Sequence, residues 1–334
     1  MMDLQQFKQL MKIDDDVTND KYGYYPDQRP IKQLLDYGLI SLDKPPGPTS
    51  HEVVAWVRKI LQINKAGHSG TLDPLVTGIL PIGLEESTKV LSVLLLGSKE
   101  YHGVGRLHGP INSEKLNLIV KEFTGEIYQK PPQKSAVKKV TRTRQIYDFQ
   151  ILEVKDNLFL FKVICESGTY IRKLIYDMGE ILGVGATMAE LRRSQVCHIS
   201  ESDFLLRIHD LVDAVYLWKN DDDESKLRKL IQPVESALSE LKKLVIRDSA
   251  IESICHGAQL AIPGILQLSN NILKNDPIAV YSLKGELVSI GTAQLSSKEI
   301  TDLDKGIAIL TDRVIMNVGT YPKMWKNSDT KNNA

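Results

Sequence analysis

The stretch GHSGTLDPLVTG, residues 67–78, sets four chain-breaking residues, Gly67, Gly70, Pro74 and Gly78, around one carboxylate, Asp73. A phosphate cradle would place a lysine directly after its glycines, and none stands there. A metal site draws several ligands at matched spacing, and Asp73 with His68 is too few. A glycosidase needs two carboxylates across one bond. The next ones, Glu85 and Glu86, lie beyond a turn and an apolar run. Two readings survive: an ionised aspartate acting as covalent nucleophile, or an Asx-Pro turn without chemistry. A second candidate is QKPPQKSAVKKVTRTRQ, residues 129–145. It holds Lys130, Lys134, Lys138, Lys139, Arg142 and Arg144 and no acid. Positive charge at that density neutralises phosphates and gives salt-dependent affinity for nucleic acid.

The composition narrows the setting of these residues. A length of 334 corresponds to two domains of about 150 residues each. Lys+Arg and Asp+Glu both number 42, which excludes a globally basic nucleic-acid binder and leaves room for a local basic stripe. No apolar run reaches the roughly 18–20 residues of a membrane span, and the polar, acidic N-terminus is unlike a secretory signal. Cys165, Cys197 and Cys255 are dispersed and odd in number, with no CxxC pair. They indicate neither a zinc site nor a disulfide framework, and a reducing cytoplasm is expected.

The elements that must position the candidates can be read from periodicity. Residues 1–36 are polar and proline-punctuated, an extension rather than a domain. GLISLDKPPGPTS (38–50) reads as a strand running into a Pro-Gly loop. Ser50 then caps a helix whose apolar residues Val53, Val54, Val57, Ile60 and Leu61 recur at helical spacing. GILPIGLEESTKVLSVLLLGSKEY reads as strand, turn and helix. DNLFLFKVICES alternates as a strand, and TYIRKLIYDMGEIL is an amphipathic helix. The acidic run 220–226 reads as a solvated loop. From Leu244 short strand-like runs alternate with Gly, Pro and Asn turns. Strands and helices mix without a βαβ rhythm, so the expected class is α+β.

Together these motifs resemble the TruB-type pseudouridine synthases. LDKPPGPTSHEVVAWVRKIL, GHSGTLDPLVTGILPIGLEESTK, KEY (99–101) and CESGTYIRKLIYDMGEILGVGATMAELRR (165–193) follow in that family's order. HGAQLAIPGI (256–265) is similar to part of a PUA RNA-binding domain, and RPIKQLLDYGLI resembles the branch of archaeal and eukaryotic dyskerin-like subunits of H/ACA guide-RNA particles. The resemblance implies an α+β, mixed-sheet catalytic domain over 37–243 and a small β-barrel-like PUA domain over 244–326. An extension, 1–36, would pack on the latter, and 327–334 would be a tail. It also implies uridine-to-pseudouridine conversion without a cofactor, on rRNA or tRNA. The partners would be an H/ACA guide RNA, two small accessory proteins and a kink-turn-binding protein. Leu75 and Gln195 depart from the pattern, each removing a positive charge expected near the RNA.

Residue by residue, the resemblance makes Asp73 the nucleophile. Arg172 would pair with it, on the argument that a buried carboxylate is costly unless paired. Tyr101 would stack on the extracted uracil, with its hydroxyl as a weaker general base given a reference pKa near 10. His68 would help hold the flipped strand. Tyr170 and Leu191 would border the pocket, with core packing equally compatible. Lys134, Lys138, Lys139, Arg142 and Arg144 would close on substrate RNA. His256, Gly257, Pro263 and Gly264 would meet the guide. Two alternatives stand beside this reading. One is a stand-alone tRNA uridine-55-type synthase, which Leu75 favours. The other is an inactive RNA-binding scaffold, against which Asp73, Tyr101 and Arg172 argue.

Overall fold

The computed structural model describes residues 9–110, 112–131, 140–202 and 205–323. They form two compact units, one from within 40–82 and 91–223, the other from within 1–39, 83–90 and 224–334.

The first unit is built on a mixed sheet. Its strands run in the order Gly38–Lys44, Thr77–Leu84, Ala186–Val196, Lys99–Leu107, Leu158–Cys165, Arg142–Lys155, Gly125–Gln129. Strand Lys99–Leu107 is antiparallel to both neighbours, and Thr77–Leu84 meets Ala186–Val196 in parallel. The expected helix lies at Ile171–Leu182, ending at Gly183 in the left-handed region. It lays Leu174, Ile175 and Met178 on a core with Phe149, Phe159, Phe161 and Val163, which fixes its first turn over the sheet. Helix Ser50–Leu61 buries Val53, Val57 and Leu61. Its cap is Thr49, not Ser50. The Thr49 hydroxyl accepts from Glu52 N–H while the Glu52 carboxylate accepts from Thr49 N–H, a reciprocal box. That releases Ser50, which is buried, for another use described below.

The second unit centres on a seven-stranded sheet, ordered Met11–Lys12, Ile265–Leu268, Lys242–Ile246, Pro277–Tyr281, Leu287–Ala293, Ile307–Val314, Leu260–Ala261. Its core is aliphatic, with Ile246, Ile251, Leu268, Ile278, Val288 and Ile309 at its centre. The N-terminal residues are part of it. Met11 pairs with Leu268 and Lys12 with Gln267. Tyr24 N–H donates to Glu286 Oε1 at 2.8 Å. The Arg29 guanidinium meets the Glu235 carboxylate at 2.6 and 2.9 Å, both side chains buried. The acidic run is exposed at Asp221–Asp223, but its end already begins helix Ser225–Leu230.

Candidate active site

Asp73 sits at the apex of a turn whose backbone is held from beneath. The Lys44 ammonium, wholly buried, donates to the carbonyls of Pro74 at 2.8 Å and Val76 at 3.1 Å. Gly47 N–H donates to Pro74 O at 2.9 Å. The freed Ser50 hydroxyl accepts from Leu72 N–H at 2.9 Å and donates to Leu72 O at 3.2 Å. The turn closes with Val76 N–H on Asp73 O at 3.0 Å. With its backbone so occupied, the turn can hold its carboxylate outward. Burial lowers the pKa of Lys44, and the Asp73 charge nearby pulls it back up.

The carboxylate has one side-chain partner among the described residues. Arg172 Nη2, from the first turn of helix Ile171–Leu182, stands 2.5 Å from Asp73 Oδ2. This corrects the premise that made the pairing attractive. Asp73 is 54% exposed and Arg172 60%, so the pair does not rescue a buried charge. The contact also uses one guanidinium nitrogen rather than the fork. The pair orients the carboxylate in a wet site.

Arg172 lines an open cleft of ≈ 790 Å³, with Pro46, Leu75, His102, Met188 and Leu191 among its other walls. Leu191 is therefore both at the cleft and against the core. Leu75 is 78% exposed there. Gln195 instead spends its amide on Cys197 O at 2.6 Å. Tyr101 is half-buried on the central strand, opposite Val163 on one side and Arg193 on the other. Burial raises its phenol pKa; the Arg193 guanidinium beside it opposes that, and the Asp73 charge adds to it. A phenol held neutral suits stacking and hydrogen-bond donation better than proton abstraction.

His68 lies on the approach to the turn. Its Nδ1 accepts from Gly70 N–H at 3.2 Å, so the neutral ring carries its proton on Nε2. Burial, then His51 and Arg193, lower its pKa and keep it neutral at pH 7. Tyr170 caps the helix that carries Arg172, its backbone gripped at both N–H and C=O by the Gln129 amide. Of the basic run, Lys134, Lys138 and Lys139 lie outside the described residues. Arg142 is exposed, and Arg144 faces Glu166 at 3.5 Å, so its charge is already partly met.

In the second unit a separate hollow of ≈ 450 Å³ is lined by Pro263, Gly264, Gln259 and Arg247 among others. His256 and Gly257 are not brought to it; His256 Nε2 contacts Glu252 Oε1 at 3.1 Å. Gly257 serves a left-handed turn, φ +88°. A Cβ on Gly264 would stand 3.1 Å from Leu260 Cδ1. The bulk missing at Gly264 thus serves internal packing, where the sequence suggested room for RNA. Among the described residues no three His, Cys, Asp or Glu side chains gather as metal ligands would.

The described site and fold can be set beside known proteins. The model of the TruB family pseudouridylate synthase N-terminal domain matches residues 58–113 and 108–171, and that of the tRNA pseudouridylate synthase B C-terminal domain matches 172–239. The PUA domain matches 242–315 and the DKCLD (NUC011) domain 1–54. A probable tRNA pseudouridine synthase B of Pyrococcus abyssi is 49% identical over 95% of both chains. The chain belongs to the TruB family of pseudouridine synthases. A relative of the same description from Archaeoglobus fulgidus is also 49% identical, over 94% of this synthase and 97% of its own length. Among solved structures, an H/ACA RNP bound to a substrate RNA containing 2′-deoxyuridine has a chain with TM-score 0.88 and 46% identity, covering 95% of this synthase and 97% of that chain. An archaeal box H/ACA sRNP Nop10–Cbf5 complex has one at 0.87 and 47%, covering 95% and 98%.

The synthase reaction is an isomerisation. The uridine N1–C1′ bond breaks, a C5–C1′ bond forms, C5 loses its proton and N1 gains one. Sequence reasoning missed Arg193, which is buried beside Tyr101. A signal was present: residues two apart share a face of a strand, so an inward Leu191 implies an inward Arg193.

Proposed function

We propose that this synthase is the catalytic subunit of an H/ACA-type ribonucleoprotein and converts uridine to pseudouridine in RNA, rRNA first, at sites chosen by a base-paired guide. Asp73 is the nucleophile, at the sugar or the uracil ring. Arg172 orients its carboxylate, and Tyr101 supplies the stacking face for the extracted base. His68, Tyr170 and Leu191 border the base. Lys134, Lys138, Lys139, Arg142 and Arg144 meet substrate phosphates. The hollow at Pro263 and Gly264 receives the guide, and His256 and Gly257, which lie outside that hollow, would meet it separately. Two accessory proteins of the Nop10 and Gar1 kind and a kink-turn-binding protein complete the particle, in the cytoplasm.

The observation that carries guide dependence is the chain-long likeness to subunits of H/ACA particles, at 46–48% identity and TM-scores of 0.87–0.88. It includes an N-terminal segment built into the same unit as the PUA strands. A stand-alone tRNA synthase is the second reading, supported by the names of the curated relatives and by Leu75 at the cleft. Release of tritium from C5-labelled uridine separates them. Guided rRNA should be modified only when guide and accessory proteins are present, and bare tRNA slowly or not at all. Fast, site-specific modification of tRNA by the lone protein would overturn guide dependence.

A further inference from the structure

Arg193 is the largest fully buried side chain among the described residues, 1% exposed. A guanidinium carries five donors and no acceptor, and burying it without a counter-charge is costly. Its partners are nonetheless neutral. Nε donates to Ile79 O at 2.9 Å and Nη2 to Gly70 O at 3.2 Å. The third neighbour is the Tyr101 phenol, directly across the strand pair. Burial lowers the pKa of Arg193 and the phenol raises it; no carboxylate pairs with it among the described residues.

The three partners are not a random set. Gly70 precedes the Asp73 turn and Ile79 follows it, so one rigid fork spans both ends of the loop. The backbone is shaped to allow this. Gly78, at φ +100°, runs so close to Arg193 that a Cβ would lie 2.2 Å from Arg193 O. An apolar side chain of similar size would fill the space without the desolvation cost. What it could not do is bond both loop ends at once beside the phenol.

We infer that Arg193 is a positioning residue: it locks the Asp73 turn and Tyr101 into one frame and makes the Tyr101 hydroxyl a hydrogen-bond donor toward the extracted base. The second part follows from donor chemistry. A guanidinium only donates, so the phenolic oxygen facing it must accept. The phenolic proton is then directed away from Arg193. So directed, it can donate to a carbonyl oxygen of the uracil. The inference rests on the roles proposed above for Asp73 and Tyr101.

The test is a double-mutant cycle in the assembled, guided particle. Arg193→Lys and Arg193→Gln are each made alone and with Tyr101→Phe, and single-turnover tritium release, substrate-RNA Kd and Tm are measured. Arg193→Lys keeps the charge but not the fork. It should leave Kd within about threefold and slow turnover by about 100-fold, the order expected of a small misplacement of reacting groups. In the Tyr101→Phe background the same change should cost at least about tenfold less, because the hydroxyl it orients is already gone. Equal fold losses in both backgrounds, or near-normal turnover by folded Arg193→Lys, would overturn the inference. Arg193→Gln, smaller and neutral but still an amide donor, takes its place if the lysine variant folds poorly. Asp73→Asn is run alongside. If it is active, the catalytic assignments fail; if it is inactive and the cycle is additive, the Arg193 inference alone fails.

Discussion

Removing Arg172 should separate stability from chemistry. In Arg172→Met the 2.5 Å contact to Asp73 is lost, while the Lys44, Gly47 and Ser50 bonds that hold the turn remain. Both partners are more than half exposed, and exposed ion pairs are worth about 0–1 kcal/mol. For a unit of this size that is a shift in Tm of no more than roughly 2–4 °C. Turnover should suffer far more. An unanchored carboxylate samples orientations that do not face the base, and misplacement of this kind costs on the order of 100-fold, equivalent to about 2.7 kcal/mol of barrier. Single-turnover tritium release from guided RNA reads the rate, and differential scanning calorimetry reads the stability. A variant that turns over within about threefold of the parent would show that the pair is a surface contact with no catalytic part. A fall in Tm of about ten degrees would show instead that the pair holds the fold.

Tyr101→Phe keeps the ring and loses the hydroxyl, whereas Tyr101→Ala loses both; if stacking dominates, Ala should be much the slower in single turnover, and equal severe losses would assign the chemistry to the phenol. Lys99 donates to Leu94, Leu95 and Gly97 carbonyls, and burial pushes its pKa down to about 8 from 10.5. Below pH 8 both folded and unfolded chains carry this proton, and between about 8 and 10.5 only the unfolded chain does. Stability should therefore rise with pH across that window, by at most about 1.4 kcal/mol per unit. Denaturant titrations should show the rise weakened in Lys99→Met, and identical slopes would contradict a depressed Lys99. Reversing Lys138, Lys139 and Arg142 to glutamate should weaken substrate capture and flatten its dependence on salt; unchanged salt slopes would make the basic run a bystander.

Much of this was legible in the sequence where the signal is local. The glycines and proline around Asp73 announced a turn, and the spacing of Leu174, Ile175 and Met178 announced the helix that presents Arg172. What escaped depends on pairing between distant segments. The Thr49-x-x-Glu52 spacing does mark Thr49 as the cap, but nothing within a few residues of Ser50 shows that Ser50, so released, bonds Leu72. Arg193 shares a strand face with Leu191, which points it inward, but only the register against Tyr101 shows what it meets there. The exposure of the Asp73–Arg172 pair was misjudged for the same reason: a motif specifies partners and leaves their depth to the surrounding fold. Burial of Arg29 against Glu235, 206 residues away in sequence, has no local trace.

That last separation bears on how the protein is made. The unit containing Met11–Lys12 needs the strand Ile265–Leu268 as its partner, and Arg29 needs Glu235. On a ribosome adding about 5–20 residues per second, the segment from Met11 to Arg29 waits on the order of tens of seconds before these partners exist. Residues 40–223 include nearly all of the catalytic sheet and are complete earlier. The nascent chain therefore carries an unpartnered leading segment past a body that can already fold. That segment is polar and punctuated by Pro26 and Pro30, a composition that resists premature pairing and aggregation while it waits.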